Sequence, residues 1–240
     1  MAPRDAIRTR LTELFDAERR VRRIHDELCE SAEGDLCDTL AEAITAAGRE
    51  PEEEASLRLS RIAMILGEVE GPRPVDMLVD VLASDHPEAR VTAGEQLEEL
   101  AFERFKEVAL GVERALKRLP VGSPALPELP YLLAEIPEPG VSKLLGQFLG
   151  HADPDAVAAG IEALVDLGDP TCIKHLEALV GDTRTVEMLE EQDGEAEEVT
   201  IGELAEEAVA ILSEGAEDGD EEEGEEPEPK PPTARRGGAP

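Results

Sequence analysis

Three groupings in this sequence combine residue types that could do chemistry. His25, Cys29 and Cys37 are borderline and soft metal donors, and His25 and Cys29, four residues apart, face the same way on a helix. A structural zinc site needs four ligands, and the sequence offers no fourth. The three cysteines, Cys29, Cys37 and Cys172, are an odd set without framework spacing, so they are expected to be reduced and buried. His175 follows Cys172 by three residues, a spacing at which an imidazole could take a thiol proton, but no third group is present to orient it. His86 and His151 stand just before Pro87 and Pro154, where capping or exposure accounts for them. There is no phosphate-cradling glycine loop and no nucleophile elbow, and the acidic background empties carboxylate pairs of meaning. The expectation is a chain that is not an enzyme, with no catalytic residue, no cofactor and no metal.

The charge balance constrains the partner. Lys and Arg number 23 against 57 Asp and Glu, a net charge of −34 over 240 residues. Each phosphate contact needs a cation, so nucleic acid is an unexpected partner and another protein the expected one. Aromatic residues make up 2% of the chain, while small aliphatic residues are plentiful, a composition suited to helix-on-helix packing. No apolar run approaches the roughly 20 residues needed to span a bilayer. Residues 1–28 lack the continuous apolar region of a signal peptide, so a cytoplasmic location is expected. The preference for alanine, glutamate, arginine and glycine over lysine and asparagine is what a GC-rich bacterial genome produces.

The elements that must position any site follow from apolar spacing. Pro3 and Asp5 open a long helix to about Cys29 with Ile7, Leu11, Leu14, Phe15, Val21, Ile24 and Leu28 on one face. It also carries an arginine run in which Arg19, Arg20, Arg22 and Arg23 are candidate partner-binding residues. A second helix runs from Gly34 and Asp35 to Gly48, and a third follows Pro51 with Leu57, Leu59, Ile62, Ile65 and Leu66. Pro74 starts a fourth with Met77, Leu78, Val81 and Leu82 inward. His86-Pro87 leads into a helix with Val91, Leu97 and Leu100, and near Phe102 and Phe105 a further helix begins or continues. Six prolines between Pro120 and Gly140 leave room for one short helix, and Val141 begins another with Leu144, Leu145, Phe148 and Leu149.

From Asp153 the pattern is densest. Asp153 and Pro154 suit a helix start, Val157, Ile161, Leu164 and Leu167 form its stripe, and Gly168 stops it. Asp169 and Pro170 then start a helix with Ile173, Leu176, Leu179 and Val180, ending at Gly181. Thr185 to Met188 and Val199 to Ile201 read as two short extended arms around a turn at Gln192-Asp193-Gly194. A closing helix after Gly202 carries Leu204, Ala208, Ile211 and Leu212. The expected organisation is a helical domain over 1–213 with a hairpin insertion at about 184–201, then an acidic disordered tail over 214–240.

The run from Leu149 to Gly181 resembles the HEAT repeat, including its bacterial HEAT-like form. The resemblance rests on Asp153, Pro154, Ala158, Ala159, Ala163, Leu164, Leu167, Gly168, Asp169, Pro170, Ile173 and Leu176. A weaker copy runs from Leu82 through Asp85, Pro87, Ala89, Arg90 and Ala93 to Leu97. The two prolines are 154 − 87 = 67 positions apart, about two periods of such a repeat. The resemblance implies an all-α fold, an α-α superhelix or HEAT-like solenoid of roughly five helical pairs with a small inserted β-hairpin near its C-terminal end. It further implies a non-enzymatic protein-binding scaffold or adaptor whose inner face is formed by the second helix of each pair. Arg90, Glu95, Glu98, Ala159, Glu162 and Asp166 fall on that face by position. Two other functions fit the same resemblance. One is a regulatory module whose acidic tail masks the arginine-rich first helix. The other is a HEAT-like lyase or cofactor-handling protein, as the phycobilin lyases are. The DNA glycosylases built from similar helical pairs need a basic, aromatic-bearing groove, which this sequence lacks.

Overall fold

The computed structural model describes residues 3–189 and 196–222. Among them are ten α-helices and one two-stranded antiparallel sheet near the C-terminal end. The helices are α1 (Pro3–Cys29), α2 (Glu33–Ala47), α3 (Glu52–Glu68), α4 (Pro72–Leu82), α5 (Pro87–Arg118), α6 (Ala125–Ala134), α7 (Val141–Phe148), α8 (Pro154–Leu167), α9 (Ile173–Glu177) and α10 (Ile201–Glu222). Strands β1 (Thr185–Leu189) and β2 (Ala196–Thr200) pair with Val186 opposite Val199.

Local chemistry explains the element ends. Asp153 is 1% exposed, and its Oδ1 accepts from the Asp155 and Ala156 N–H groups at 3.0 and 3.3 Å. Its Oδ2 accepts from the Gly122 N–H at 2.6 Å, so one carboxylate caps α8 and ties down the loop before α6. Gly168 ends α8 in the left-handed region at φ 63°, where a side chain would be strained. Asp169 then accepts from the Thr171 N–H at 2.9 Å and opens a 3₁₀ turn, Pro170–Cys172, that runs into α9.

Several elements differ from the sequence expectation. Helix α9 stops at Glu177, four residues short of Gly181, which leaves Val180 exposed beyond its end. The reason is Gly202, in the first turn of α10: a Cβ there would lie 2.7 Å from the Val180 carbonyl oxygen and 3.0 Å from that of Asp182. The Gly202 N–H donates to the Asp182 carbonyl at 3.0 Å, so the segment after α9 serves as a backbone seat for α10. Ile201 is helical rather than the end of the second arm. Helix α5 continues through the region of Phe102 and Phe105 with a break at Arg104, whose φ of −137° and ψ of 48° lie outside the helical region. Helix α10 passes residue 214, where the tail was expected to begin, and reaches Glu222. The turn at Gln192-Asp193-Gly194 and the tail over 223–240 lie outside the described residues.

The core runs through α2 to α10, with Leu66, Leu78, Leu97, Leu126, Leu145, Phe148, Leu164 and Leu176 fully buried along it. Close approach of helices depends on small residues at the crossing points. A Cβ on Gly160 would come within 2.9 Å of the Phe148 Cβ, so α7 and α8 meet at contact distance there. Helix α2 lies against α3 and α4, α3 against α4 and α5, α5 against α6 and α7, α6 against α8, and α8 against α10.

Polar contacts join these neighbours at a nearly constant sequence offset. Arg73 Nη2 donates to Asp38 Oδ1 at 2.6 Å across 35 residues. Arg114 Nε donates to both oxygens of Asp76 at 2.9 and 3.1 Å across 38 residues, and Arg118 pairs with Asp80 at the same offset. Gln147 donates to Glu113 at 3.0 Å across 34 residues. A second row runs along the other helices. Ser56 donates to Glu88 at 3.3 Å across 32 residues, Arg90 Nε lies 3.1 Å from Glu128, and the Tyr131 hydroxyl donates to Glu162 across 31 residues.

Helix α1 stands apart. Its apolar residues recur as expected, yet none of its side chains is buried among the described residues. Ile7, Leu11, Leu14, Phe15, Val21 and Ile24 are exposed, while His25, Leu28 and Cys29 are half-buried. Contact with the body is made at this C-terminal end, where Leu28 and Cys29 pack against the core.

Candidate functional site

The outward face of α3 and the first half of α5 form a groove. On α3 the stripe Ala55, Leu59, Ile62, Ala63 and Leu66 is buried, which turns Leu57, Arg61 and Met64 outward. Leu57 is 59% exposed although its residue type suits a core. Two adjoining clefts share Met64. The first, of about 670 Å³, is lined by Leu57, Ser60, Arg61 and Met64 with Glu53, Glu54 and Glu88. The second, of about 550 Å³, has Met64 and Leu100 with Glu68, Glu70, Glu99, Glu103 and Arg104. Seven glutamates and two arginines therefore line the two clefts, together with Leu57, Met64 and Leu100.

From Arg90 on α5 the same row of helices continues with Glu128 and Tyr131 on α6 and Glu162 on α8. Burial pushes the Glu128 carboxyl above its usual range, opposed by the nearby Arg90 guanidinium. Burial, and then the carboxylate of Glu162, push the Tyr131 phenol well above its ordinary value. Of the residues singled out from sequence, Arg90, Glu98 and Glu162 are half-buried and Glu95 and Asp166 exposed. Arg90 and Glu162 are held by α6 partners that the sequence reading did not include. Arg19, Arg20, Arg22 and Arg23 are exposed on α1, apart from that row, and Arg19 and Arg22 pair within the helix with Asp16 and Glu18.

The metal-like set is regrouped by the fold. Cys37 is fully buried in the core and stands outside it. In its place the last residue of α3, Glu68, comes to His25 and Cys29, with His25 Nε2 2.9 Å from Glu68 Oε1. One donor atom from each of the three lies within 4.8 Å of the others. Burial, and then the Glu68 carboxylate, push the Cys29 thiol up to about 11. Sequence spacing could not find Glu68, because it lies 43 residues from His25 and nothing local marks it among its acidic neighbours.

The pairing of Cys172 with His175 does not form a nucleophile. Cys172 is buried and 3.7 Å from Ser142 Oγ, His175 is exposed, and no hydrogen bond joins the two among the described residues. Ser142 donates instead to Asp169, whose carboxyl is held below its usual range by Ser142 and by Thr171. That carboxylate is occupied in capping, and no imidazole bonds it among the described residues.

No family model matches the chain. Nor does any curated protein. A crystal structure of an engineered protein from the Northeast Structural Genomics Consortium is similar over 82% of this chain and 97% of that chain, at 18% identity and a TM-score of 0.36. Among the described residues no helix is long and apolar enough to cross a membrane.

Proposed function

We propose that this chain is a non-enzymatic scaffold or adaptor, an α-α superhelix of the HEAT-like kind that takes up a basic, amphipathic segment of another protein in the groove between α3 and α5. The observation that carries the reading is the near-constant offset of 31 to 38 residues at which polar side chains join successive helices. Equal offsets are what stacked units of one length produce, and stacked units expose a long curved face to which each contributes a few side chains.

The groove supports the class of partner. The carboxylates lining the clefts, with exposed Leu57 and Met64 among them, match a helix with apolar anchors on one side and cations flanking them. Arg90, Glu95, Glu98, Glu162 and Asp166 extend the recognition surface along the following helices. Nucleic acid is the wrong sign for such a face. The work is cytoplasmic in this reading, in keeping with three cysteines that are all free.

Affinity capture from a lysate of the source organism tests it, with the wild-type chain beside a Leu57→Asp/Met64→Asp variant. Both positions are exposed, so the variant keeps the fold. A protein retained by the wild type, lost from the variant and weakened by salt is the expected result. Equal retention by both, or a retained partner that binds more tightly at high salt, would reject the groove.

A further inference from the structure

We propose that His25, Cys29 and Glu68 form a binding site for a divalent ion of the zinc class at the joint between α1 and α3, with a fourth coordination position left open. His25 and Cys29 are one helical turn apart on α1, so the helix itself presents an imidazole nitrogen and a sulfur as a chelating pair. The third donor comes from a different element, the end of α3, and its carboxylate already lies 2.9 Å from the imidazole. One nitrogen, one oxygen and one sulfur placed tetrahedrally around zinc are about 3.3 to 3.7 Å from one another, given ligand bonds of about 2.0 to 2.3 Å. The three donors here lie within 4.8 Å of one another, so closing on an ion asks for a side-chain adjustment of an ångström or so. Glu68 can supply it, because its side chain is 59% exposed while that of His25 is 14% exposed.

The mixed set of one nitrogen, one sulfur and one oxygen selects the ion. Calcium and magnesium require oxygen donors, and copper(I) favours sulfur, which leaves the borderline divalent ions. Three protein ligands and one open position is the arrangement in which zinc keeps a water or an exchangeable ligand. The place in the fold provides a use. Helix α1 buries no side chain among the described residues and meets the body at the turn that carries His25, Leu28 and Cys29. An ion bridging that turn to α3 cross-links the joint and sets how the exposed apolar face of α1 is presented. Glu68 also lines the second cleft of the groove, so the ion would stand at one end of it.

The test is a titration of the reduced, full-length protein with cobalt(II), read by absorbance, followed by displacement with zinc(II). The expected result is one equivalent bound with a thiolate-to-cobalt charge-transfer band and intense visible bands of tetrahedral character. Cys29→Ser should abolish the charge-transfer band, and His25→Ala and Glu68→Gln should each weaken binding by about tenfold or more. Far-UV circular dichroism of each variant controls for folding, and Glu68→Gln, at an exposed position, keeps the test decisive if His25→Ala unfolds the joint. Weak, multiple binding without a charge-transfer band, or binding unchanged in Cys29→Ser or Glu68→Gln, would mean ion condensation on an acidic surface and overturn the site. With zinc bound, tryptic cleavage after Arg22 and Arg23 should slow several-fold relative to cleavage after Arg8 and Arg10. Equal rates would overturn the bracing role.

Discussion

At the scale of single residues, the acidic side chains that matter are those that accept several hydrogen bonds at once. Asp169 is one of 57 acidic residues, yet it accepts from the Thr171 N–H, the Thr171 hydroxyl and Ser142. These bonds favour the ionised form and hold its carboxyl below the usual value of 3.8. A lowered native value means that the extra stability is fully present above about 3.8 and is lost as pH falls through the native value. Asp169→Asn keeps the shape and removes the charge, so it should cost about 1 kcal/mol at pH 7, the difference between charge-assisted and neutral hydrogen bonds. The gap from wild type should close as the pH is taken below 3.8. Urea denaturation at several pH values measures this, and a gap that does not change with pH would show that the charge is not the cause. Glu128 has the opposite sign: burial raises its native value, so acidification through that value relieves a penalty rather than imposing one.

At the scale of elements, the ten helices differ sharply in what they add to the core. Helix α4 buries Val75, Met77, Leu78, Val79, Val81 and Leu82 in eleven residues, while α1 buries none in 27. An amphipathic helix gains stability by covering its apolar face, and α1 leaves most of that face in water. Ile7 at 61% exposed and Leu14 at 60% contribute little to the folded state of the body. Removing residues 1–24 should therefore leave the thermal transition of the remainder within about 2 °C, because surface losses of this kind stay within about 0.5 kcal/mol. Scanning calorimetry of the truncated chain tests this, and a drop of ten degrees would place α1 in the cooperative unit.

At the scale of the whole molecule, the rows of offset contacts organise rather than stabilise. The Arg114–Asp76 pair has side chains 39% and 32% exposed, and exposed ion pairs are worth about 0 to 1 kcal/mol. A double-mutant cycle with Arg114→Ala and Asp76→Ala should give a coupling below about 1 kcal/mol that shrinks further in high salt. A coupling of 3 kcal/mol would mean that these pairs, and not the apolar core, hold the neighbouring helices together. The net charge of −34 disfavours compaction by self-repulsion. Arg73, Arg114 and Arg118 offset part of that repulsion locally, each set against an aspartate 35 to 38 residues upstream.

Chain-local features were legible because their causes are local. The cap at Asp153, the stop at Gly168 and the stripes of α2, α4, α7 and α8 depend on residues within a few positions of one another, so spacing alone determines them. The same holds for the first arm of the hairpin, whereas the second runs over Ala196–Thr200, three residues earlier than its expected start, because its pairing with Thr185–Leu189 and not its own composition sets its length. A pattern in one helix says which residues are apolar but not whether another helix arrives to cover them. That is why Val91 and Leu57 read as inward and stand 62% and 59% exposed. Likewise the early end of α9 is decided by α10 seating on the Val180 and Asp182 carbonyls, an event some 20 residues downstream. The offset pairs of opposite charge at 35 to 38 residues were in principle present in the sequence as a long-range correlation. His25 and Cys29 were found by their spacing, whereas Glu68 joined them only when α1 and α3 met, since tertiary packing alone brings together donors 43 residues apart.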